Sequence, residues 1–154
     1  VFDPHMPNGT ELGVGVTRVR KLEDLMEQTD TLSIHAPLTP ETSGMVSRDM
    51  LERMPKGAIV VNTSRAELLQ DNALVTALNR GRPGMAAIDV FESEPILQGH
   101  PLLRLENAVC TPHIGYVSRD EYEVQFSDIF DQIVSYAAGE PTNVVNPDVM
   151  GHRR

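Results

Sequence analysis

Residues 56–65, which read Lys-Gly-Ala-Ile-Val-Val-Asn-Thr-Ser-Arg, decide the fold. Their apolar centre, residues 58–61, lies between a glycine and a polar segment. A uniformly apolar run bounded in this way is typical of a strand that is covered on both faces. Similar short runs occur on either side of it, at residues 31–36, 85–90 and 108–111, with a short one at residues 1–2.

Segments with the apolar spacing of helices alternate with these runs, and they cover residues 21–28, 47–54 and 71–79. Ser47 and Asp71 are candidate N-caps of the second and third helices. A fourth helix should follow Ser118, which begins the capping box Ser-Arg-Asp-Glu, and should end at Gly139. Alternating strands and helices with short links predict an α/β domain with a parallel sheet.

The composition of the 154-residue chain excludes several classes of protein. Acids outnumber bases by 22 to 13, and the resulting charge of −9 disfavours nonspecific binding to nucleic acid or to an anionic membrane. The apolar runs are far too short for a transmembrane helix. A single cysteine, Cys110, excludes an internal disulfide and a zinc site built from cysteines, and it favours a reducing, cytoplasmic compartment.

Charged residues follow the predicted strands, at the edge where ligands bind in open parallel sheets. Arg65 offers a planar fork that suits a carboxylate, although it could also be a surface arginine paired with Glu67. His113 follows the fourth strand, and beside a carboxylate it could act as a general acid or base. The alternative is a packed histidine whose hydrogen bonds are satisfied.

Three acids are further candidates, and each also has a purely structural interpretation. Asp3 follows an apolar strand end, where an acid can bind the ribose hydroxyls of a dinucleotide and repel a 2′-phosphate, or can simply occupy a turn. Asp89 and Glu94 follow the third strand, where they could reach a nicotinamide amide or hold a histidine. They could equally belong to a solvated acidic loop.

Five segments together resemble the D-isomer-specific 2-hydroxyacid dehydrogenase family, which includes phosphoglycerate, glyoxylate and hydroxypyruvate reductases and has the C-terminal-binding-protein corepressors as relatives. The segments are Phe2-Asp-Pro, His35-Ala-Pro-Leu-Thr-Pro-Glu-Thr, residues 56–65 as quoted above, Ala87-Ile-Asp-Val-Phe-Glu-Ser-Glu-Pro95 and Thr111-Pro-His-Ile-Gly115. They occur in the family's order and with similar spacing, over almost the whole chain.

The resemblance implies roles for individual residues. Arg65 would bind the carboxylate and carbonyl of the substrate, His113 would be the general acid or base, and Glu94 would be its carboxylate partner. Asp3 would bind the adenosine ribose and favour NAD over NADP. The other cofactor-binding residues would be Ala36 and Pro37 over the adenosine, Thr63, Ser64 and Asp89 near the nicotinamide, and Arg65, His113 and Gly115.

The resemblance also implies a fold and a domain organisation. The chain would form a partial Rossmann-like, doubly wound parallel sheet that lacks its first strand and its glycine-rich loop. Residues 1–139 would be a partial dinucleotide-binding domain and residues 140–154 a C-terminal tail, with the substrate domain outside this piece of a longer protein. The strands at residues 1–3 and 31–36 should then lie apart from the other three, unless another chain or a rearrangement fills the gap.

The implied function is NAD-dependent hydride transfer between a small 2-hydroxy acid and a 2-keto acid, in a cytoplasmic, homodimeric parent enzyme without metal, nucleic acid or membrane partner. An alternative is an NAD-sensing interaction module similar to the corepressors, without significant turnover. Turnover of glyoxylate, hydroxypyruvate or pyruvate would separate the two. The 154 residues by themselves should be inactive, because the pyrophosphate and the keto acid would each lack part of their binding site.

One departure from the family pattern concerns the loop after Arg65. The family usually has two glycines there, and this chain has Ala66 and Glu67. These residues resist backbone angles that glycine adopts readily.

Overall fold

The computed structural model describes residues 1–152 and contains one parallel sheet. Its four strands lie in sequence order, and they are β1 (Thr31–Ile34), β2 (Ile59–Asn62), β3 (Met85–Ile88) and β4 (Ala108–Cys110). Every neighbouring pair is parallel, and Val60 lies beside both Leu32 and Ala86. The α/β architecture with a parallel sheet is therefore confirmed.

Short helices connect the strands. α1 (Leu22–Gln28) precedes β1, α2 (Arg48–Arg53) joins β1 to β2, and α3 (Ala73–Asn79) joins β2 to β3. The longer α4 (Arg119–Ala137) follows β4, and 3-10 turns lie at Ala66–Leu68, Pro101–Arg104 and Pro147–His152. Two predicted caps are confirmed, because Ser47 Oγ accepts the Met50 N–H and Ser118 Oγ accepts the Glu121 N–H.

The predicted cap of the third helix is wrong. Asn72, and not Asp71, occupies the N-cap position of α3, and no side chain caps this helix. Asn72 has a φ of 56°, a left-handed conformation that asparagine tolerates better than most residues. The chain therefore enters α3 one residue later than the sequence predicts.

The hydrophobic core lies between one face of the sheet and the first three helices. Alternate strand residues point into it, as the two-residue period of a strand requires. They are Leu32, Ile34, Val60, Asn62, Ala86 and Ile88. α1, α2 and α3 bury Met26, Leu51 and Leu78 against them. α2 contacts both α1 and α3, which places the three helices on the same face. On the opposite face Val109 is 57% exposed.

The prediction that the strand at residues 31–36 lies apart from the next three is wrong. β1 pairs directly with β2, from Thr31 beside Ile59 to Ile34 beside Asn62. The start of the chain pairs elsewhere, since the Val1 ammonium donates to the Thr17 carbonyl over 2.6 Å and the Val1 carbonyl accepts from the Val19 N–H over 2.8 Å. The expectation came from the strand order that the family resemblance implies, in which a further strand separates β1 from β2, whereas in this chain the two strands pair directly.

The described residues form two compact units. The first, Val1–Gly115, contains the sheet with α1, α2 and α3, and the second begins at Tyr116 and contains α4. The boundary predicted at residue 139 falls inside the second unit, where Gly139 with a φ of 86° ends α4. Within residues 1–152, none of the helices has both the length and the apolar character needed to cross a membrane.

Close packing beside β3 leads to a prediction about stability. A Cβ on Gly84 would lie 2.6 Å from the Lys56 carbonyl oxygen, so Gly84→Ala should lower the free energy of unfolding by about 1–3 kcal/mol. Gly57→Ala is the matched control, because no heavy atom lies within 4 Å of the added Cβ. Urea unfolding of both variants checks this. Equal stabilities would show that the backbone shifts without cost.

Candidate active site

All the predicted site residues except Asp3 lie in the loops that follow the four strands. Ala36 and Pro37 follow β1, Thr63, Ser64 and Arg65 follow β2, Asp89 and Glu94 follow β3, and His113 and Gly115 follow β4. Parallel strands present their carboxyl ends at one edge, so these loops are neighbours. The first two are joined directly, since Ser64 Oγ donates to the Ala36 carbonyl over 2.7 Å.

His113 and Glu94 form the central contact of the site. Nδ1 of His113 lies 2.6 Å from Oε2 of Glu94, as the sequence analysis predicted. The other Glu94 oxygen accepts the backbone N–H of Phe91 over 3.0 Å. Both oxygens are therefore fixed, and the carboxylate faces the imidazole ring. The two side chains are 34% and 36% exposed, which leaves the pair accessible to a small ligand.

The surroundings of Glu94 favour its charged form. The hydrogen bond from His113 and the one from the Phe91 N–H lower the pKa of Glu94, and together they outweigh the effect of partial desolvation. The positive charges of His113 and Arg65 add to this lowering. The Arg65 side chain is exposed, and its guanidinium donates to the Ser64 carbonyl over 2.6 Å. Glu94 is consequently ionised at neutral pH and can hold a proton on the facing nitrogen of His113.

A buried asparagine that sequence reasoning missed shapes the Arg65 loop. Asn62 is 1% exposed; its Nδ2 donates to the Arg65 carbonyl over 2.9 Å and its Oδ1 accepts the Ser64 N–H over 3.0 Å. The sequence feature that could have identified Asn62 is a polar residue at the end of an apolar strand. Neither Ala66 nor Glu67 has a positive φ, so this loop does not require the two glycines usual in the family.

Asp89 is buried and points toward the turn that contains His113. Its carboxylate accepts hydrogen bonds from the Thr111 hydroxyl, from the Ile114 N–H over 2.9 Å and from the Gly115 N–H over 2.8 Å. The residue is 4% exposed. Its contact with a nicotinamide amide stays a prediction, whereas its hydrogen bonds tie the end of β3 to the turn after β4.

The ionisation of Asp89 should make stability depend on pH. Burial by itself would raise the pKa of Asp89, but the hydrogen bonds from Thr111, Ile114 and Gly115 and the charge on His113 outweigh burial and lower it. Because the folded-state pKa is below the unfolded one, this stabilisation is present above the ordinary aspartate pKa of about 3.9 and is lost as the pH falls through the folded value.

Asp89→Asn therefore tests the role of this charge. It should destabilise the protein at pH 7, and the difference from wild type should shrink as the pH falls below about 4. Chemical unfolding measured at several pH values checks this expectation. A difference that stays constant with pH would assign the effect of the substitution to packing and not to charge.

Asp3 belongs to the same unit but has a separate set of contacts. It is exposed, and its Oδ1 accepts the His5 N–H over 2.8 Å. Arg18 donates to the carbonyls of Asp3 and Pro7 and closes this loop. Within residues 1–152, no hydrogen bond or ion pair joins Asp3 to the loops after β1–β4. The same residues contain no group of three or more His, Cys, Asp or Glu side chains that could hold a metal ion.

A cavity of about 320 Å³ lies beside the site, between the start of α3 and the turn at Pro101–Arg104. Asn62, Leu74, Ile88 and His100 are among the residues that line it. Neither Arg65 nor the His113–Glu94 pair does. The predicted catalytic side chains are therefore on the open edge of the sheet and not in this cavity.

Known proteins are similar to this chain in both sequence and fold. The family pattern of the D-isomer specific 2-hydroxyacid dehydrogenase, NAD binding domain, matches residues 1–115. A glyoxylate reductase of Korarchaeum cryptofilum is 40% identical over 141 residues, which cover 91% of this chain and 42% of that protein. The chain spans about two fifths of the length of the first such relatives.

Solved structures give the same result. An oxidoreductase from Ralstonia solanacearum matches with a TM-score of 0.80 and 53% identity, over 88% of this chain and 40% of that one. A D-isomer specific 2-hydroxyacid dehydrogenase from Xanthobacter autotrophicus Py2, solved in complex with NADPH and MES, matches with a TM-score of 0.67 and 30% identity, over 87% of this chain and 56% of that one. The chain belongs to the D-isomer specific 2-hydroxyacid dehydrogenase family, and its first 115 residues are part of the family's NAD-binding domain.

Proposed function

We propose that the whole protein containing this chain is an NAD-dependent oxidoreductase that interconverts a small 2-hydroxy acid and the corresponding 2-keto acid. The observation that carries the proposal is the 2.6 Å contact between His113 Nδ1 and Glu94 Oε2, at the same edge of the sheet as the exposed Arg65 in the loop after β2. An acid–base pair beside a cationic carboxylate binder is the arrangement that this reaction needs. The match to a glyoxylate reductase supports the same class of substrate.

The cofactor would bind along the carboxyl edge of the sheet. The loops after β1 and β2 fit a dinucleotide, because the Ser64–Ala36 hydrogen bond holds them together while Pro37 and Thr63 remain exposed. Asp3 presents an exposed carboxylate suited to ribose hydroxyls. NAD, when bound, supplies or accepts the hydride.

The side chains of this chain would do the remaining work. Arg65 would donate two parallel N–H···O hydrogen bonds to the substrate carboxylate and so orient the keto group. Glu94 would accept the Nδ1–H of His113 and fix the ring. Nε2 of His113 would then be the atom that gives a proton to the developing alkoxide, or takes one from the hydroxyl in the reverse direction.

We place the reaction in the cytoplasm, without a nucleic-acid or membrane partner. The net charge of −9 and the single cysteine support this placement. By resemblance to the family, we expect the whole protein to be a homodimer.

The carboxylate requirement tests the proposed substrate class. NADH oxidation by the whole protein should occur with pyruvate or hydroxypyruvate and not with acetone or dihydroxyacetone, which keep the ketone but lack the carboxylate. The reason is that Arg65 recognises the acid group and not the carbonyl alone. Equal turnover of the acids and the simple ketones would contradict the proposal.

Asp3 should determine the choice of cofactor. Asp3→Ser should narrow the preference for NADH over NADPH in kcat/KM by about tenfold, because a carboxylate next to a 2′-phosphate costs on the order of 1 kcal/mol or more. Asp131→Ser, which changes an exposed acid of α4, is the matched control. A wild-type protein that uses NADPH better than NADH would remove this role from Asp3.

A further inference from the structure

His113 has an unusual backbone conformation for a side chain of its size. Its φ is 55°, in the left-handed region that residues other than glycine seldom occupy. Such conformations persist when the surrounding structure over-determines them, and they are frequent at functional sites. The contacts that fix this turn therefore also fix the direction of the imidazole ring.

The side chain of Asp89 holds the turn from both sides of His113. After His113 in the sequence, the N–H groups of Ile114 and Gly115 donate to the two oxygens of Asp89 over 2.9 and 2.8 Å. Before His113 in the sequence, the Thr111 hydroxyl donates to Oδ1 of Asp89. The turn is closed by a bond of 3.1 Å from the His113 N–H to the Thr111 carbonyl.

The hydrogen bonds from Thr111, Ile114 and Gly115 to Asp89 form a clamp that is anchored to the sheet. Asp89 follows the last residue of β3, and its N–H donates to the Asn62 carbonyl at the end of β2 over 3.0 Å. Thr111 is attached in the same way, since its N–H donates to the Ile88 carbonyl over 2.9 Å. Gly115 leaves room for the carboxylate, because a Cβ there would lie 3.0 Å from Asp89 Oδ2.

We propose that Thr111 and Asp89 are positioning residues that hold the imidazole of His113 against Glu94. The proposal rests on the proposed function of His113 as acid and base. Thr111 acts only through its hydroxyl on Asp89, and Asp89 acts through the turn. The hydrogen bonds from Thr111, Ile114 and Gly115 use three of the roughly four acceptor positions of the Asp89 carboxylate. These bonds are enough to explain why an acid is buried at this position, even without a bound ligand.

The test compares Thr111→Val with Thr111→Ser in the whole protein. Valine keeps the shape and removes the hydroxyl, whereas serine keeps the hydroxyl. Thr111→Val should lower kcat for 2-keto acid reduction by about 10- to 100-fold, the scale expected for a misplaced catalytic group, with little change in the KM of the keto acid or the Kd of NADH. Thr111→Ser should stay within about threefold of wild type.

A spectroscopic measurement makes the test independent of turnover. The ring N–H resonance of His113 that reports the bond to Glu94 should be present in wild type and in Thr111→Ser. It should be lost or shifted in Thr111→Val, and in Thr111→Ala if the valine variant does not fold. Asp89→Asn combined with Thr111→Val should lose little more activity than Asp89→Asn, because the two residues act as one unit.

The contrary outcomes are distinct. A folded Thr111→Val protein with wild-type kcat and an unchanged His113 resonance would overturn the positioning role. So would an Asp89→Asn protein that binds NADH more weakly while Thr111→Val stays fully active, because Asp89 would then act on the cofactor. A wild type that shows the resonance without reducing any 2-keto acid would instead contradict the proposed function.

Discussion

His113→Gln should lower kcat for 2-keto acid reduction by about 10²–10⁴-fold while leaving the Kd of NADH nearly unchanged. Glutamine keeps a polar side chain of similar reach, but it cannot exchange a proton at neutral pH. General acid catalysis typically contributes this factor in rate. Steady-state kinetics of the whole protein, together with NADH fluorescence titration, separates the loss of chemistry from a loss of binding.

His100→Gln is the matched control for this substitution. His100 also has a glutamate partner, since its Nε2 lies 3.2 Å from Glu92 Oε2, but it caps the turn at Pro101–Arg104 and has no predicted role in catalysis or cofactor binding. We expect its kcat to stay within a few-fold of wild type. Equal losses in the two variants would mean that His113 matters only for the stability of the fold.

Arg65→Lys should lower kcat/KM for the keto acid by about 10- to 100-fold. Lysine keeps the positive charge but loses the planar fork, and charge-assisted hydrogen bonds are worth about 1.5–3 kcal/mol each. Arg119→Lys in α4 is the control, because the Arg119 side chain is 87% exposed and pairs with Glu123 of the same helix. If Arg65→Lys retained wild-type kcat/KM, Arg65 would not bind the substrate carboxylate by a two-point contact.

The sequence predicted the strands and the contact between His113 and Glu94 well, for physical reasons. Short apolar runs bounded by turn residues form strands wherever a covered sheet is available, so all four runs after residue 30 were correctly placed. Residues that follow parallel strands converge on one edge of the sheet. The contact between His113 and Glu94, 19 residues apart, follows from that rule together with the family resemblance.

What the sequence could not predict depends on contacts between distant segments. The pairing of β1 with β2 differs from the strand order that the family resemblance implies, because no other strand of the sheet lies between them. The clamp of Thr111 on Asp89 joins two loops through hydrogen bonds that no local motif encodes. The entry into α3 depends on a left-handed Asn72, a conformation that composition makes possible but does not require.

We propose that the whole protein reduces a 2-keto acid with NADH. The most direct measurement is NADH oxidation by the purified protein with glyoxylate, hydroxypyruvate and pyruvate, accompanied by NADH titration of the same preparation. We expect the purified protein to show saturable turnover with at least one of the three acids. Tight binding of NADH without turnover of any of them would contradict it, and would favour a protein that senses the dinucleotide instead.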